Sequence, residues 1–249
     1  MSHASHPPMA LVAITRHGLK RALELITKVP EAHLVVTAKF AAEVPTMTQP
    51  VTLLEGPLSQ HMEGLFGGYQ TLVLFISLGA VVRLIAPHLQ SKEQDPGVIV
   101  IDDAARFVIP VLSGHVGGAN AQAERLARLL GAEAVLTTAS DVGKTIPVDI
   151  LGRELGWQVE APKINITRVS AHVVNQEPIA FIQEAGSPHW WTRPTPLPAN
   201  IHCFDRFEAV DCARFKGVLW VTQREIADEI WVALEERLVV YRPPRDDNR

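Results

Sequence analysis

Eight consecutive residues carry the densest chemical signal in the chain: Ser113-Gly114-His115-Val116-Gly117-Gly118-Ala119-Asn120. Glycines at this spacing let a backbone turn tightly and aim successive N–H groups at one point. The run precedes an amphipathic stretch at 119–130, so it reads as the loop feeding a helix N-terminus, whose partial positive charge suits a carboxylate, phosphate or oxyanion. His115 is a candidate general base and Ser113 a candidate nucleophile. Gly114, Gly117, Gly118 and Asn120 are candidate substrate contacts. The competing reading is a glycine-rich connection without a ligand. Two look-alikes fail. Asp141-Val142-Gly143-Lys144-Thr145 resembles the end of a P-loop, but the required earlier glycine is Thr138. Ser113 lacks the G-x-S-x-G elbow of serine hydrolases, because Val111 stands at the first glycine.

Other candidates follow or precede apolar runs. Gly79 could let a ligand approach closely, and Arg83 could clamp a carboxylate in two-pronged fashion. Lys92 could bind an anion, and Asp95 or Asp102 could orient a base. Arg106, Thr137, Thr138 and Asp141 complete the set. Their bland readings are surface arginines, solvated turns and helix caps. Because ligands of doubly wound sheets sit outside the carboxyl ends of strands, Gly79, residues 113–118 and residues 137–141 are expected to converge.

The elements that must position these groups alternate. Strands are expected at 9–14, 34–37, 51–54, 71–76, 98–101, 106–110 and 134–137, with helices at 19–27, 57–66, 80–86 and 119–130. Residues 102–105 read as a hairpin turn. Further on, strands at 217–221 and 237–241 flank a helix at 225–234, after an irregular proline-bearing stretch at 185–200 that holds Trp190 and Trp191. The fold class is α/β: an N-terminal open, mostly parallel sheet flanked by helices, with a second, smaller α/β middle domain. The domains are placed at 1–140 and 141–243, with a polar tail at 244–249.

The chain has 249 residues, 47% apolar and 20% charged, with 23 basic and 27 acidic residues and a formal charge of −4. That balance excludes a globally basic nucleic-acid surface. The longest apolar run, 72–82, is too short to span a bilayer, and the first residues do not make a signal peptide, so no membrane partner and a cytoplasmic location are expected. Cys203 and Cys212 are expected to be ordinary thiols, and the scattered histidines form no metal-ligand pair.

Five elements in one order then become recognisable. They are Gly79-Ala80-Val81-Val82-Arg83, Ser91-Lys92 with Asp95-Pro96, the acidic turn at 102–103, residues 113–120, and Thr137-Thr138-Ala139 with Asp141. Together they closely resemble the CbiG family of cobalamin biosynthesis. The resemblance implies cobalt-precorrin-5A hydrolase activity in anaerobic cobalamin (vitamin B12) biosynthesis. A δ-lactone on a cobalt tetrapyrrole is opened and the methylated meso carbon leaves as acetaldehyde, giving cobalt-precorrin-5B. Family members continue into a C-terminal domain that this sequence is expected to lack, which makes a separate C-terminal-domain polypeptide a candidate partner and a homodimer another. The alternative is a non-catalytic tetrapyrrole-binding or handover subunit. No protein-bound cofactor or metal is expected, since cobalt arrives with the substrate. In this reading His115 is the base, oriented by Asp95 or Asp102. Gly117 and Gly118 receive the oxyanion, and Arg83, Lys92 and Arg106 gather the carboxylates.

Overall fold

The computed structural model describes residues 8–91, 94–115, 117–139 and 143–245. The chain divides into two compact units, Met1–Leu136 and Thr137–Arg249.

In the first unit, β1 (Met9–Ala13), β2 (Ala32–Thr37), β3 (Val51–Leu54), β4 (Thr71–Leu74), β5 (Gly97–Ile101), β6 (Phe107–Leu112) and β7 (Glu133–Ala134) form one sheet. The order is β3-β2-β1-β4-β5-β6-β7. Every neighbouring pair is parallel except β5–β6. The short, continuous apolar strands β1, β4 and β5 at the centre are buried along their whole length, as in parallel sheets covered on both faces. Helices α1 (Arg16–Ile26) and α4 (Ala119–Leu130) cover one face through Leu19, Leu25, Ala123 and Leu126. Helices α2 (Met62–Gly68) and α3 (Leu78–Ile85) cover the other through Met62, Phe66, Val81 and Ile85. This is the open, mostly parallel sheet flanked by helices that the alternation of patterns implies.

Two local differences have physical causes. The strand expected at 134–137 is only the pair Glu133–Ala134. Val135 N–H still reaches the carbonyl of Val108, 2.9 Å away. The next ladder bond would need an N–H from Pro110, which has none. The same proline lies where the β5–β6 register shifts, pairing with Ile99 beside a bulge. The helix expected at 57–66 is instead a 3-10 turn, Leu58–Gln60, followed by α2, which runs on through the glycines at 67 and 68.

The second unit holds β8 (Gln158–Glu160), α5 (Lys163–Val174), β9 (Ile179–Gln183), β10 (Ile201–Phe204), β11 (Gly217–Val221), α6 (Asp228–Ala233) and β12 (Leu238–Arg242). Its sheet order is β10-β9-β11-β12-β8, parallel except for β8 at the edge. Val169 and Val173 of α5 pack with Phe181, Leu219 and Tyr241 on one face, and Phe215, Trp220 and Leu234 close the other. The tryptophan pair belongs to this core. Trp190 lies 4.2 Å from the ring of Phe181, and Trp191 donates its indole N–H to the carbonyl of Thr195. Cys203 and Cys212 are free thiols whose pKa values burial pushes up.

Tyr241 is completely buried and donates its hydroxyl to the carbonyl of Val148 at 2.7 Å. Tyr241→Phe leaves that carbonyl buried without a donor. It is expected to cost about 1–3 kcal/mol, read as a lower urea midpoint with an unchanged denaturant slope.

Candidate active site

Chain direction decides which candidate residues meet. Because β6 runs antiparallel to β5, its carboxyl end arrives at the amino end of β5, where Leu112 pairs with Val98. The glycine loop at 113–118 therefore lies beside the segment that leads into β5. It is on the sheet edge opposite to the carboxyl ends of β1, β4 and β5.

At this junction Asp95 ties the two segments together. Its carboxylate accepts the N–H of Gln90 at 3.0 and 3.3 Å, closing the 90–95 turn, and its backbone carbonyl accepts the hydroxyl of Ser113 at 3.0 Å. Asp95 is buried, 9% exposed. Ser113 holds a left-handed backbone, φ 54°, uncommon without glycine, and thereby turns the chain from β6 into the loop. The carbonyls of Ser113 and Gly114 then accept the N–H groups of Ala119 and Asn120, at 3.2 and 3.0 Å. Gly118 caps α4 in the left-handed region, φ 74°, and donates its N–H to the carbonyl of His115 at 3.0 Å. The loop thus satisfies the first donors of its own helix.

Packing explains the glycines more directly than an anion does. A Cβ on Gly117 would lie 2.4 Å from Cβ of Ser113, and one on Gly114 would lie 2.6 Å from Oδ1 of Asn120. Gly118 alone in the loop faces open space. Asn120 is 7% exposed, and its amide lies against Gly114. His115 is half-buried on the same loop, two residues from Ser113. The oxyanion role expected of Gly118 is corrected, because its N–H is spent on His115. The N–H of Gly117 has no main-chain acceptor among the described residues.

Asp102 and Arg106 do not join this group. They lie in the hairpin at the far end of β5, whose five residues span about 16 Å. Asp102 caps that turn, its Oδ1 accepting the N–H groups of Arg106 and Phe107 at 2.8 and 2.7 Å. It cannot orient His115. The Arg106 guanidinium lies over the Phe107 ring, 5.0 Å from its centroid. Gly79 and Arg83 sit on the exposed face of α3, and a Cβ at Gly79 would meet nothing. No close approach within the fold calls for that glycine. Thr137, exposed, and Thr138, half-buried, open the second unit. Lys92 and Asp141 lie outside the described residues. The expected convergence of everything that follows a strand therefore fails in the first unit, because one strand is reversed.

Sequence reasoning passed over the switch point between β1 and β4, where neighbouring connections leave in opposite directions. There Thr15 caps α1 by accepting the N–H of Gly18 at 2.9 Å, with Arg16, His17 and Ser77 at the same edge. The available signal was the Thr-x-x-Gly turn between the first strand and its helix. Among the described residues no group of three or more His, Cys, Asp or Glu could hold a metal ion. None of their helices is long and apolar enough to cross a membrane.

Comparison with known proteins identifies the family. Residues 60–141 match the model of the cobalamin synthesis G N-terminal domain, and residues 146–243 match that of the cobalamin biosynthesis central region. The chain belongs to the CbiG family. It is 43% identical over 234 residues to a cobalt-precorrin-5A hydrolase of Priestia megaterium, covering 94% of this chain and 62% of that protein. A cobalt-precorrin-5A hydrolase of Salmonella typhimurium is 33% identical over 137 residues, 55% of this chain and 37% of that protein. The chain thus spans less than two thirds of the length of these CbiG relatives.

The junction itself yields a stability prediction. Gly117→Ala forces its methyl into Ser113 and is expected to cost about 1–3 kcal/mol. Asp102→Ala is expected to lose about 1 kcal/mol from the distant turn. Denaturant titration measures both, and equal, negligible effects would contradict the packing described.

Proposed function

We propose that this chain catalyses cobalt-precorrin-5A hydrolysis, opening the δ-lactone and releasing acetaldehyde to give cobalt-precorrin-5B. The observation that carries the reading is the 43% identity, across 94% of the chain, to a relative bearing that name. The junction of the 90–97 and 113–118 segments supports it with a half-buried imidazole on a loop held by its own carbonyls and by Asp95.

The chemistry divides between protein and substrate. The imidazole of His115 takes a proton from water, and the resulting hydroxide adds to the lactone carbonyl. The N–H of Gly117 faces the developing oxyanion. Collapse breaks the acyl C–O bond, leaving a carboxylate and an oxygen on the methylated meso carbon. When that oxygen becomes the carbonyl of acetaldehyde, the carbon–carbon bond to the macrocycle breaks. The macrocycle keeps the electron pair and takes up a proton, so one water is consumed for each acetaldehyde released. The conjugated ring is the electron sink, in the way that cofactors carry hard chemistry. Cobalt belongs to the substrate in this scheme, and the protein holds no resident metal. We place the reaction in the cytoplasm, where the family's soluble substrate would be met.

Asp95 acts by positioning rather than by touching substrate. Its carboxylate shapes the turn at 90–95, and its carbonyl anchors Ser113, so it fixes the loop from which His115 projects. Ser113 uses its hydroxyl proton in that anchor, which disfavours it as a nucleophile in the resting enzyme.

Anaerobic incubation of the 249-residue chain with cobalt-precorrin-5A, trapping acetaldehyde, tests the reading. Turnover is expected from the wild type. His115→Ala is expected to lower kcat by about 10²- to 10⁴-fold, the usual contribution of a general base. Ser113→Ala should retain turnover within about tenfold, because it removes only a loop-anchoring bond. Substrate binding without acetaldehyde would overturn the assignment in favour of a binding subunit, and near-normal turnover by His115→Ala would remove that residue from its role.

A further inference from the structure

The second unit carries a crevice that the hydrolysis scheme does not use. In the order β10-β9-β11-β12-β8, the connections leaving β9 and β11 pass to opposite sides, so the switch point lies between β9 and β11. At the carboxyl ends of these parallel strands is a cavity of about 620 Å³, lined by Glu184, Asp205, Arg206, Glu208, Thr222 and Arg224 among others.

Its floor is rigid. Glu184 follows β9 and accepts the N–H of Phe207 at 3.0 Å, the hydroxyl of Thr222 at 2.8 Å and the guanidinium of Arg224 at 2.9 Å. Burial pushes the Glu184 carboxyl up, but these donors together hold it below the usual carboxylate range. Arg224 also lies over the Trp220 ring, 5.3 Å from its centroid. One edge of its guanidinium is therefore committed to Glu184, and the other edge faces the cavity.

That free edge holds a carboxylate already. Arg224 donates to Glu208 at 2.7 Å, and Glu208 stands 58% exposed on a three-residue 3-10 turn. Arg206 is exposed and its guanidinium makes no hydrogen bond to a described residue. The hydrogen bond from Arg224 above all, and least of all the field of Arg206, holds the Glu208 carboxyl below its ordinary value. Arg224 and Glu208 thus form a solvent-exposed ion pair of the kind that contributes little and exchanges readily, and Arg206 lines the same cavity. Asp205, exposed on the rim, is the opposing charge and disfavours weakly held anions. Two arginines suit a carboxylate in paired hydrogen bonds better than any neutral group.

We propose that this crevice binds a peripheral carboxylate of a polycarboxylate tetrapyrrole between Arg206 and Arg224, with Glu208 as its displaceable internal substitute. The inference rests on the proposed function for the identity of the ligand. The two arginines lining one cavity, and the pairing of Arg224 with Glu208, stand on the geometry alone.

Calorimetric titration of the full chain with cobalt uroporphyrin III, a stable octacarboxylate cobalt tetrapyrrole, tests it. Succinate serves as the small dicarboxylate in a parallel arm. Arg206→Gln, an exposed change, is expected to weaken tetrapyrrole binding about tenfold, the equivalent of one charge-assisted hydrogen bond. Glu208→Gln removes the competing carboxylate and is expected to tighten binding by several-fold. Tetrapyrrole affinity unchanged in both variants, no binding to the wild type, or binding of succinate in place of the tetrapyrrole would each overturn the proposal. The acetaldehyde assay separates the two claims. Variant-sensitive binding without acetaldehyde sinks the functional reading and leaves the crevice standing. Acetaldehyde with unaltered binding in both variants sinks the crevice alone.

Discussion

The antiparallel pairing of β5 with β6 governs the first unit. A parallel neighbour would have needed a long crossover, and its outgoing loop would have joined the carboxyl edge shared by β1, β4 and β5. The tight turn capped by Asp102 reverses the chain instead. It delivers the glycine loop to the amino end of β5, against Asp95. Pro110 then withholds the donor that would extend β7 and ends the sheet one strand later. α4 consequently begins at the same edge as the loop, and the loop's carbonyls take its first N–H groups.

The loop is therefore a self-satisfied structure before any ligand arrives. Its glycines are demanded by contacts of Gly117 with Ser113 and of Gly114 with Asn120. Rigidity of this kind suits a catalytic loop, because a base contributes most when its position is settled in advance. The cost of that order is met by buried packing around Ala119, Ala123 and Leu126. In the second unit the corresponding keystone is ionic. Glu184 binds the ends of β9 and β11 and the segment after β10 through three donors, so the loops at that edge hold one arrangement around Arg224.

Much of the fold was legible because its strands are short continuous apolar runs separated by amphipathic helices. Helix α4 and the turn at 102–105 read cleanly, since Gly131 and the acidic turn mark their ends. β8, β10 and α5 were harder. Polar and charged residues interrupt Gln158–Glu160 and Ile201–Phe204, and α5 carries a mixed surface around only three buried positions. Of the candidate site, the adjacency of Ser113, His115 and the glycines was visible as local sequence. The partnership of Ser113 with Asp95, eighteen residues earlier, was not.

The sequence by itself determined the alternation of strands and helices, the glycine loop at the start of α4 and the family resemblance, because these depend on local spacing and residue type. Only the tertiary structure decided that Asp95 and not Asp102 meets that loop, that Trp190 joins a core, and that Arg224 bridges the carboxylates of Glu184 and Glu208. Strand direction is the reason. Every side chain at a strand end goes to one edge of the sheet or the other, and hydrogen-bond pairing between distant segments makes that choice. No window of neighbouring residues contains it.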